Sequence, residues 1–348
     1  MAQGRPFRPS PRVACVEGED LVGLADVMAA AERIAPAVRR TPLLATALGS
    51  TGLISTGAAV FVKAESLQLG GSFKLRGATN AVAQLSDDER ALGVITHSSG
   101  NHAQALARAA RVAGIDATVV MPRSTPAIKR VATEALGARV VLVDPAERAA
   151  EVERIRAETG AVFVPPFDAA AVIAGQGTIG LEIVADLPEV ATVVVPVSGG
   201  GLISGIAAAL RALSPAVRIV GVEPELAGDL ADGFARGQRV TWPTEATGRT
   251  IADGLRVPAV GELNWRHISA LVDAVVTVSE EAIRSAMRRI VVEEKLVCEP
   301  SGAVAVAGCL EHPDLLAPGP VVAIVSGGNV EPSLLAEIAL DGSSVGLG

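Results

Sequence analysis

The sequence predicts an α/β protein built on parallel sheets, and three observations carry that expectation. Short apolar runs alternate with helical patterns from Val94 onward, as in repeated strand–helix units. Hydrophobic residues make up 49% of the 348 and aromatics 2%, with no tyrosine. The core must therefore come from Ala, Val, Leu and Ile, as in strands buried on both faces. Polar or glycine-rich turns follow several of the apolar runs, at the strand ends where such proteins bind ligands.

In chain order, strands are expected at 94–96, 117–121, 139–143 and 161–164, with helices at 101–113, 127–136 and 146–159 between them. Gly114, Gly137 and Gly160 stand where those three helices should stop. A second series comprises strands at 192–197, 217–222 and 321–325 and helices at 203–213 and 280–294. The length suits one large domain or two closely joined ones. Residues 1–20, rich in Pro and Arg, and the Gly/Ser stretch 342–348 are expected to be loose tails.

Charge and cysteine usage exclude several function classes. A formal net charge of −8 offers no basic stripe for nucleic acid. Cys15, Cys298 and Cys309 show neither C-x-x-C spacing nor a paired framework, which fits a reducing cytoplasm. The N-terminus lacks the apolar stretch of a signal peptide, and no segment is apolar for the ~20 residues of a membrane helix. A cytoplasmic protein acting on a small molecule, without membrane or nucleic acid partners, is expected.

Four segments are candidates for the site. Thr192–Ile203 reads as a buried strand, the turn Ser198-Gly199-Gly200-Gly201 and the start of a helix at Leu202. Glycines there let backbone N–H groups close on an anion such as phosphate. Three glycines alone are as readily a tight turn without a ligand. Lys74 lies in Gly70-Gly71-Ser72-Phe73-Lys74-Leu75-Arg76-Gly77-Ala78; a dry pocket or a neighbouring cation would free its amine to attack an aldehyde. Read by itself it is ordinarily surface charge. Ser98-Ser99-Gly100-Asn101-His102 follows a strand and precedes a helix, so its donors would hold a carboxylate, or Ser98 or Ser99 simply caps the helix. Val325-Ser326-Gly327-Gly328-Asn329 makes another strand-to-glycine turn.

With these motifs in this order, the sequence resembles the serine/threonine dehydratase and serine racemase family, tryptophan synthase beta-like pyridoxal phosphate enzymes of fold type II, over roughly Arg40 to Pro332. The resemblance implies two parallel-type α/β domains with the cofactor in the cleft between them. Residues 93–168 would be the small domain, and 1–92 with 169–348 the large one. Gly71 to Ala78 matches the family's lysine motif, which gives Lys74 the Schiff base and sets Phe73 against the cofactor. Ser98 to His102 would bind the substrate carboxylate, with Asn101 also at the ring hydroxyl. Ser198 to Leu202 would hold the phosphate, although Ser198 stands where the family has the first of four glycines. Ser326 would face the pyridine nitrogen. Glu223, the Ala227 carbonyl and Asp229 are similar to the family's divalent cation site, an oxygen-only set suited to Mg²⁺ or Ca²⁺. A homodimer is implied, and the regulatory domain of biosynthetic threonine deaminases is not.

The chemistry this implies is removal of water from a small β-hydroxy amino acid, L-threonine or L-serine, to give a 2-keto acid and ammonia. Lys74 would be cofactor anchor and base, two catalytic roles in one residue. Ser99 matches the residue that handles the proton on the opposite face in racemases, so racemisation is an alternative, as is a 3-hydroxyaspartate or other β-hydroxy amino acid substrate. A non-catalytic phosphate-ligand binder is the reading from a different class. Glu299 resembles a residue near the cofactor ring, Arg148 is placed on a solvated helix face with a position near the substrate as the alternative, and the four histidines are too scattered for a metal site.

Overall fold

The computed structural model describes residues 21–49 and 58–341, so the two expected tails lie outside the described residues. In chain order the helices and strands are α1 Leu24–Ile34, β1 Leu43–Ala45, β2 Val60–Ala64, α2 Lys74–Ala83, α3 Asp87–Leu92, β3 Val94–His97, α4 Asn101–Ala113, β4 Ala117–Pro122, α5 Ala127–Ala135, β5 Arg139–Val143, α6 Arg148–Thr159 and β6 Val162–Phe163. There follow α7 Ala170–Asp186, β7 Thr192–Pro196, α8 Gly201–Leu213, β8 Arg218–Pro224, α9 Asp229–Arg236, α10 Thr244–Thr247, α11 Glu262–Leu271, β9 Ala274–Val278, α12 Glu280–Val292, α13 Pro300–Glu311, β10 Val321–Val325 and α14 Pro332–Leu340.

Ten strands form two sheets among the described residues. One has the order β1-β2-β10-β7-β8-β9 and is parallel except for the β1–β2 pair. The other, β5-β4-β3-β6, is wholly parallel and uses only residues 94–163. The strand–helix alternation expected from Val94 onward is therefore present. Gly114 and Gly160 take the left-handed conformation that ends α4 and α6.

The larger sheet is buried on both faces, which its strands' composition requires. In β10, Val321, Ala323 and Val325 pack with Ile283, Met287 and Ile290 of α12 and Val304 and Val306 of α13. The alternate residues Val322 and Ile324 pack with Ile203, Ile206 and Leu210 of α8. Each such side chain contributes about 1.5–3 kcal/mol on burial. The smaller sheet carries α4 on one face and α6 on the other. Helix α2 precedes that sheet in sequence, yet Leu75, Ala78 and Val82 join its apolar cluster.

The opposite side of α2 crosses α7 at backbone contact. A Cβ on Gly175 would stand 2.7 Å from both the Arg76 carbonyl oxygen and the Gly77 Cα, so only glycine lets the helices approach. This crossing sets the height of α2, whose first residue is Lys74.

Candidate active site

The turn before α2 is tied to the end of β10. Gly70 and Gly71 both have positive φ, Ser72 bridges Gly327, and the Phe73 amide donates to the Ser326 carbonyl at 3.1 Å. Helix α2 then begins at Lys74, a first-turn position that the helix dipole makes unfavourable for a cation. The Lys74 Nζ donates to the Pro166 carbonyl at 2.7 Å and lies 5.1 Å from the Phe73 ring centroid and 6.0 Å from that of Phe167. Among the described residues no carboxylate pairs with it. Burial lowers its pKa from 10.5 to about 8.

The glycine turn follows β7. Gly200 has φ +90° and caps α8, and the amides of Gly199, Gly200, Gly201 and Leu202 find no acceptor among the described residues. The turn is held from outside: the Gly199 carbonyl accepts from the Gly261 amide at 3.1 Å and the Asn264 Nδ2 at 2.7 Å. Ser198, which departs from the family's glycine, accepts from the Val257 amide at 3.3 Å through its Oγ. A Cβ on Gly199 would lie 2.3 Å from the Phe167 ring. The same ring therefore touches the glycine turn and the lysine.

The loop from β3 to α4 meets them from the smaller sheet. The Ser98 Oγ accepts from the Gly100 amide at 3.3 Å, a bond within the loop that does not cap α4, while the Ser99 hydroxyl has no partner among the described residues. Asn101 opens α4 and donates from Nδ2 to the Glu299 Oε1 at 2.6 Å. His102 is buried with its Nε2 3.0 Å from the Val164 carbonyl. Burial, then the Lys74 charge, pushes its pKa down to about 3, which makes the ring neutral; its Nδ1 has no partner among the described residues.

Ser326 ends β10 and is buried, with its Oγ donating a long 3.4 Å bond to the Ser301 carbonyl. Beside it the Glu299 amide donates to the Gly327 carbonyl at 3.0 Å. Burial, and then Asp253, raise the Glu299 pKa to about 7 against the pull of Asn101 and Lys129. Lysine, glycine turn, Ser/Asn loop and Ser326 thus converge at C-terminal strand ends.

Residues 34–327 match the family described as pyridoxal-phosphate dependent enzymes. The chain belongs to that family. It is 43% identical over 326 residues to the L-threonine ammonia-lyase of Thermotoga maritima, covering 91% of this chain and 78% of that one. To a serine racemase of Oryza sativa it is 42% identical over 313 residues, covering 88% and 90%. Among solved structures, maize serine racemase superposes with a TM-score of 0.86 at 39% identity, covering 91% of this chain and 97% of that one. A T.th. threonine deaminase does so with 0.83 at 42%, covering 89% and 99%. The architecture is that of fold type II.

The enzyme's own residues fit the cofactor. Unpaired amides at a helix N-terminus suit its phosphate, and a partly buried lysine without a carboxylate partner suits its aldehyde. Three contributors lay outside the expected set. Pro166 and Phe167 flank the lysine, and Asp168 accepts from the amides of Glu262, Leu263 and Asn264, which locks this segment to α11. Their signal was the Pro165-Pro166-Phe167-Asp168 turn just after the 161–164 apolar run. Arg148 is half-buried at the start of α6, close enough to His97 for its charge to lower that ring's pKa further after burial has done so.

Glu223 and Asp229 are brought together at the end of β8, away from Lys74's contacts, and both are buried, as is Ala227. Glu223 accepts from the Leu230 and Ala231 amides at 3.2 and 2.8 Å, and Asp229 Oδ2 from the Val260 amide at 3.1 Å. The Asp229 Oδ1 has no partner among the described residues. Burial first, then mutual repulsion at Glu223, raises both pKa values. No cluster of three His, Cys, Asp or Glu occurs among the described residues, so a cation here would need carbonyl or water oxygens as well.

Proposed function

We propose that the enzyme is an ammonia-lyase that eliminates water from a small β-hydroxy amino acid, L-threonine or L-serine, to yield a 2-keto acid and ammonia. The observation that carries this is the Lys74 amine, unpaired with any carboxylate and lowered in pKa, sharing the Phe167 ring with an open glycine cradle. Bound pyridoxal phosphate supplies an electron-withdrawing ring that acidifies the Cα–H bond. Lys74 Nζ would anchor the cofactor and, as a free amine, would take the Cα proton. The Gly199 to Leu202 amides with Ser198 would hold the phosphate, Phe73 would pack against the ring, and Asn101 would serve the ring hydroxyl. Ser326 offers the ring nitrogen a neutral hydroxyl. Ser98, Ser99, Gly100, Asn101 and His102 hold the substrate carboxylate at the start of α4.

Residues 93–168 serve as the small domain and 1–92 with 169–348 as the large one in this reading. It extends to a cytoplasmic homodimer, to be checked by light scattering, and to Mg²⁺ or Ca²⁺ at Glu223, Ala227 and Asp229. No helix among the described residues is long and apolar enough to cross a membrane.

Keto-acid release should be measured from L- and D-serine, L- and D-threonine and both 3-hydroxyaspartate diastereomers. L-Threonine or L-serine is expected to lead. Inactivity on all of them, in a protein that is coloured by the cofactor, would sink the proposal. Racemisation is the second reading, favoured by the unpartnered Ser99 hydroxyl on the loop facing the lysine. It predicts D-serine from L-serine, lost in Ser99→Ala.

A further inference from the structure

We propose that Asn329 is a positioning residue that locks the side-chain amide of Asn101, holding its nitrogen toward Glu299 and its oxygen away. The proposal rests on the reading above only where it gives Asn101 the ring hydroxyl.

Asn329 closes the Ser326–Asn329 turn, and its Nδ2 donates twice: to the Gly70 carbonyl at 2.9 Å and to the Asn101 Oδ1 at 2.8 Å. Both acceptors are carbonyl oxygens, so turning the Asn329 amide over would set oxygen against oxygen at each. Its own orientation is therefore fixed by two independent bonds. With the Asn101 oxygen occupied, the Asn101 nitrogen faces the Glu299 carboxylate. A flip of Asn101 alone would bring its oxygen onto that carboxylate and its NH₂ onto the Asn329 NH₂. One Asn101 N–H remains uncommitted among the described residues.

The backbone is shaped to admit this chain of bonds. A Cβ on Gly71 would stand 2.4 Å from the Asn329 Oδ1, and one on Gly327 would stand 2.3 Å from the Glu299 Oε1. The Gly328 amide donates to the Gly71 carbonyl at 2.8 Å, clamping the two turns together. The turn that precedes Lys74 and the amide at the head of α4 are thereby oriented by one side chain.

The lock has a consequence for Glu299. Its surroundings are Asp253, which repels its negative charge, Lys129 of α5, which attracts it and pairs with Asp253 at 2.6 Å, and the buried Cys298 thiol next in sequence. Burial raises its pKa most, and with these neighbours and the Asn101 bond, which lowers it, the pKa stands at about 7, so loss of that one bond shifts its state near neutrality. An Asn101 nitrogen favours the carboxylate. A freed Asn101 could turn its oxygen over and accept from the acid form, which favours protonation.

The test follows the Glu299 carboxyl by ¹³C NMR in the apo-protein, its resonance assigned with Glu299→Gln. Asn329→Ala should raise the titration midpoint by about one pH unit, a tenfold change in proton affinity. In an Asn101→Ala background the same substitution should move nothing. Asn329→Leu, which is similar in shape, uncharged and without donors, serves if the alanine variant does not fold and should raise the midpoint as far. An unchanged midpoint, or equal shifts with and without Asn101, overturns the proposal. Reconstituted Asn329→Ala should also show an altered visible band. A shifted apo-protein midpoint with an unaltered band supports the lock and overturns the ring contact given to Asn101.

Discussion

An amine titrating at 10.5 is free in about one molecule per thousand at pH 7.5, and one titrating at 8 in about a quarter. The burial of Lys74 between Phe73, Phe167 and the Pro166 carbonyl therefore changes its nucleophilic fraction by more than two orders of magnitude. Lowering a lysine pKa disfavours the cation in the folded state, so the reactive form gains as pH rises through about 8. Capture of pyridoxal phosphate by the apo-enzyme, followed as visible absorbance that borohydride bleaches while fixing the cofactor to the chain, should rise with a midpoint near 8 and level off above it. A midpoint near 10.5 would refute the desolvation account. Lys74→Ala should show no such borohydride-sensitive colour at any pH.

At the scale of elements, the reach of Lys74 depends on where α7 holds α2. Gly175→Ala would force a methyl to 2.7 Å from backbone atoms of Arg76 and Gly77, which have no rotamer to yield. Overpacking of this kind costs about 1–3 kcal/mol. The variant should unfold at lower temperature and bind pyridoxal phosphate more weakly, whereas Gly237→Ala, which strains a left-handed backbone (φ +68°) at the end of α9 but meets no neighbouring atom, should lower the unfolding temperature while leaving cofactor binding unchanged. The strands and amphipathic helices were legible because each has one kind of neighbour per face. Helices α7 and α13 were not, since they are buried almost all round and their apolar residues show no 3.6-residue period. The motif residues Lys74, Ser98 to His102, Ser198 to Leu202 and Ser326 were readable from turn chemistry at strand ends. Phe167 and Asp168 were not, because their partners lie about 90 residues away in either direction: Lys74 before them, and Leu263 and Asn264 after them.

Across the whole molecule, four charges, three of them buried and Glu182 partly so, join the large sheet to the helix that carries Lys74. Arg76 donates to Glu65 at 2.8 and 2.9 Å and to Glu182 at 2.7 and 3.0 Å, and Lys63 of β2 reaches Glu182 at 2.6 Å. Burial opposes the Arg76 charge, but Glu65 and Glu182 outweigh it and raise its pKa. Two cations balance two anions, so removing one leaves an uncompensated buried charge. Arg76→Met should cost about 3–5 kcal/mol in chemical denaturation, and less when combined with Glu65→Gln. Glu223 and Asp229 are the converse case, two buried carboxylates with no cation in hydrogen-bonding contact. Mg²⁺ or Ca²⁺ bound there would relieve their repulsion and couple the end of β8 to α9. A cation at a hundred times its Kd would stabilise the fold by about 2.7 kcal/mol. Differential scanning calorimetry should then show a rise of several degrees in Tm with Mg²⁺ or Ca²⁺, reversed by chelator and absent in Glu223→Gln/Asp229→Asn. The double variant, relieved of the same repulsion by neutral amides, should already melt above the cation-free enzyme; a Tm indifferent to both cations in the unmodified enzyme would leave the pair as a proton-sharing contact and remove the cation site.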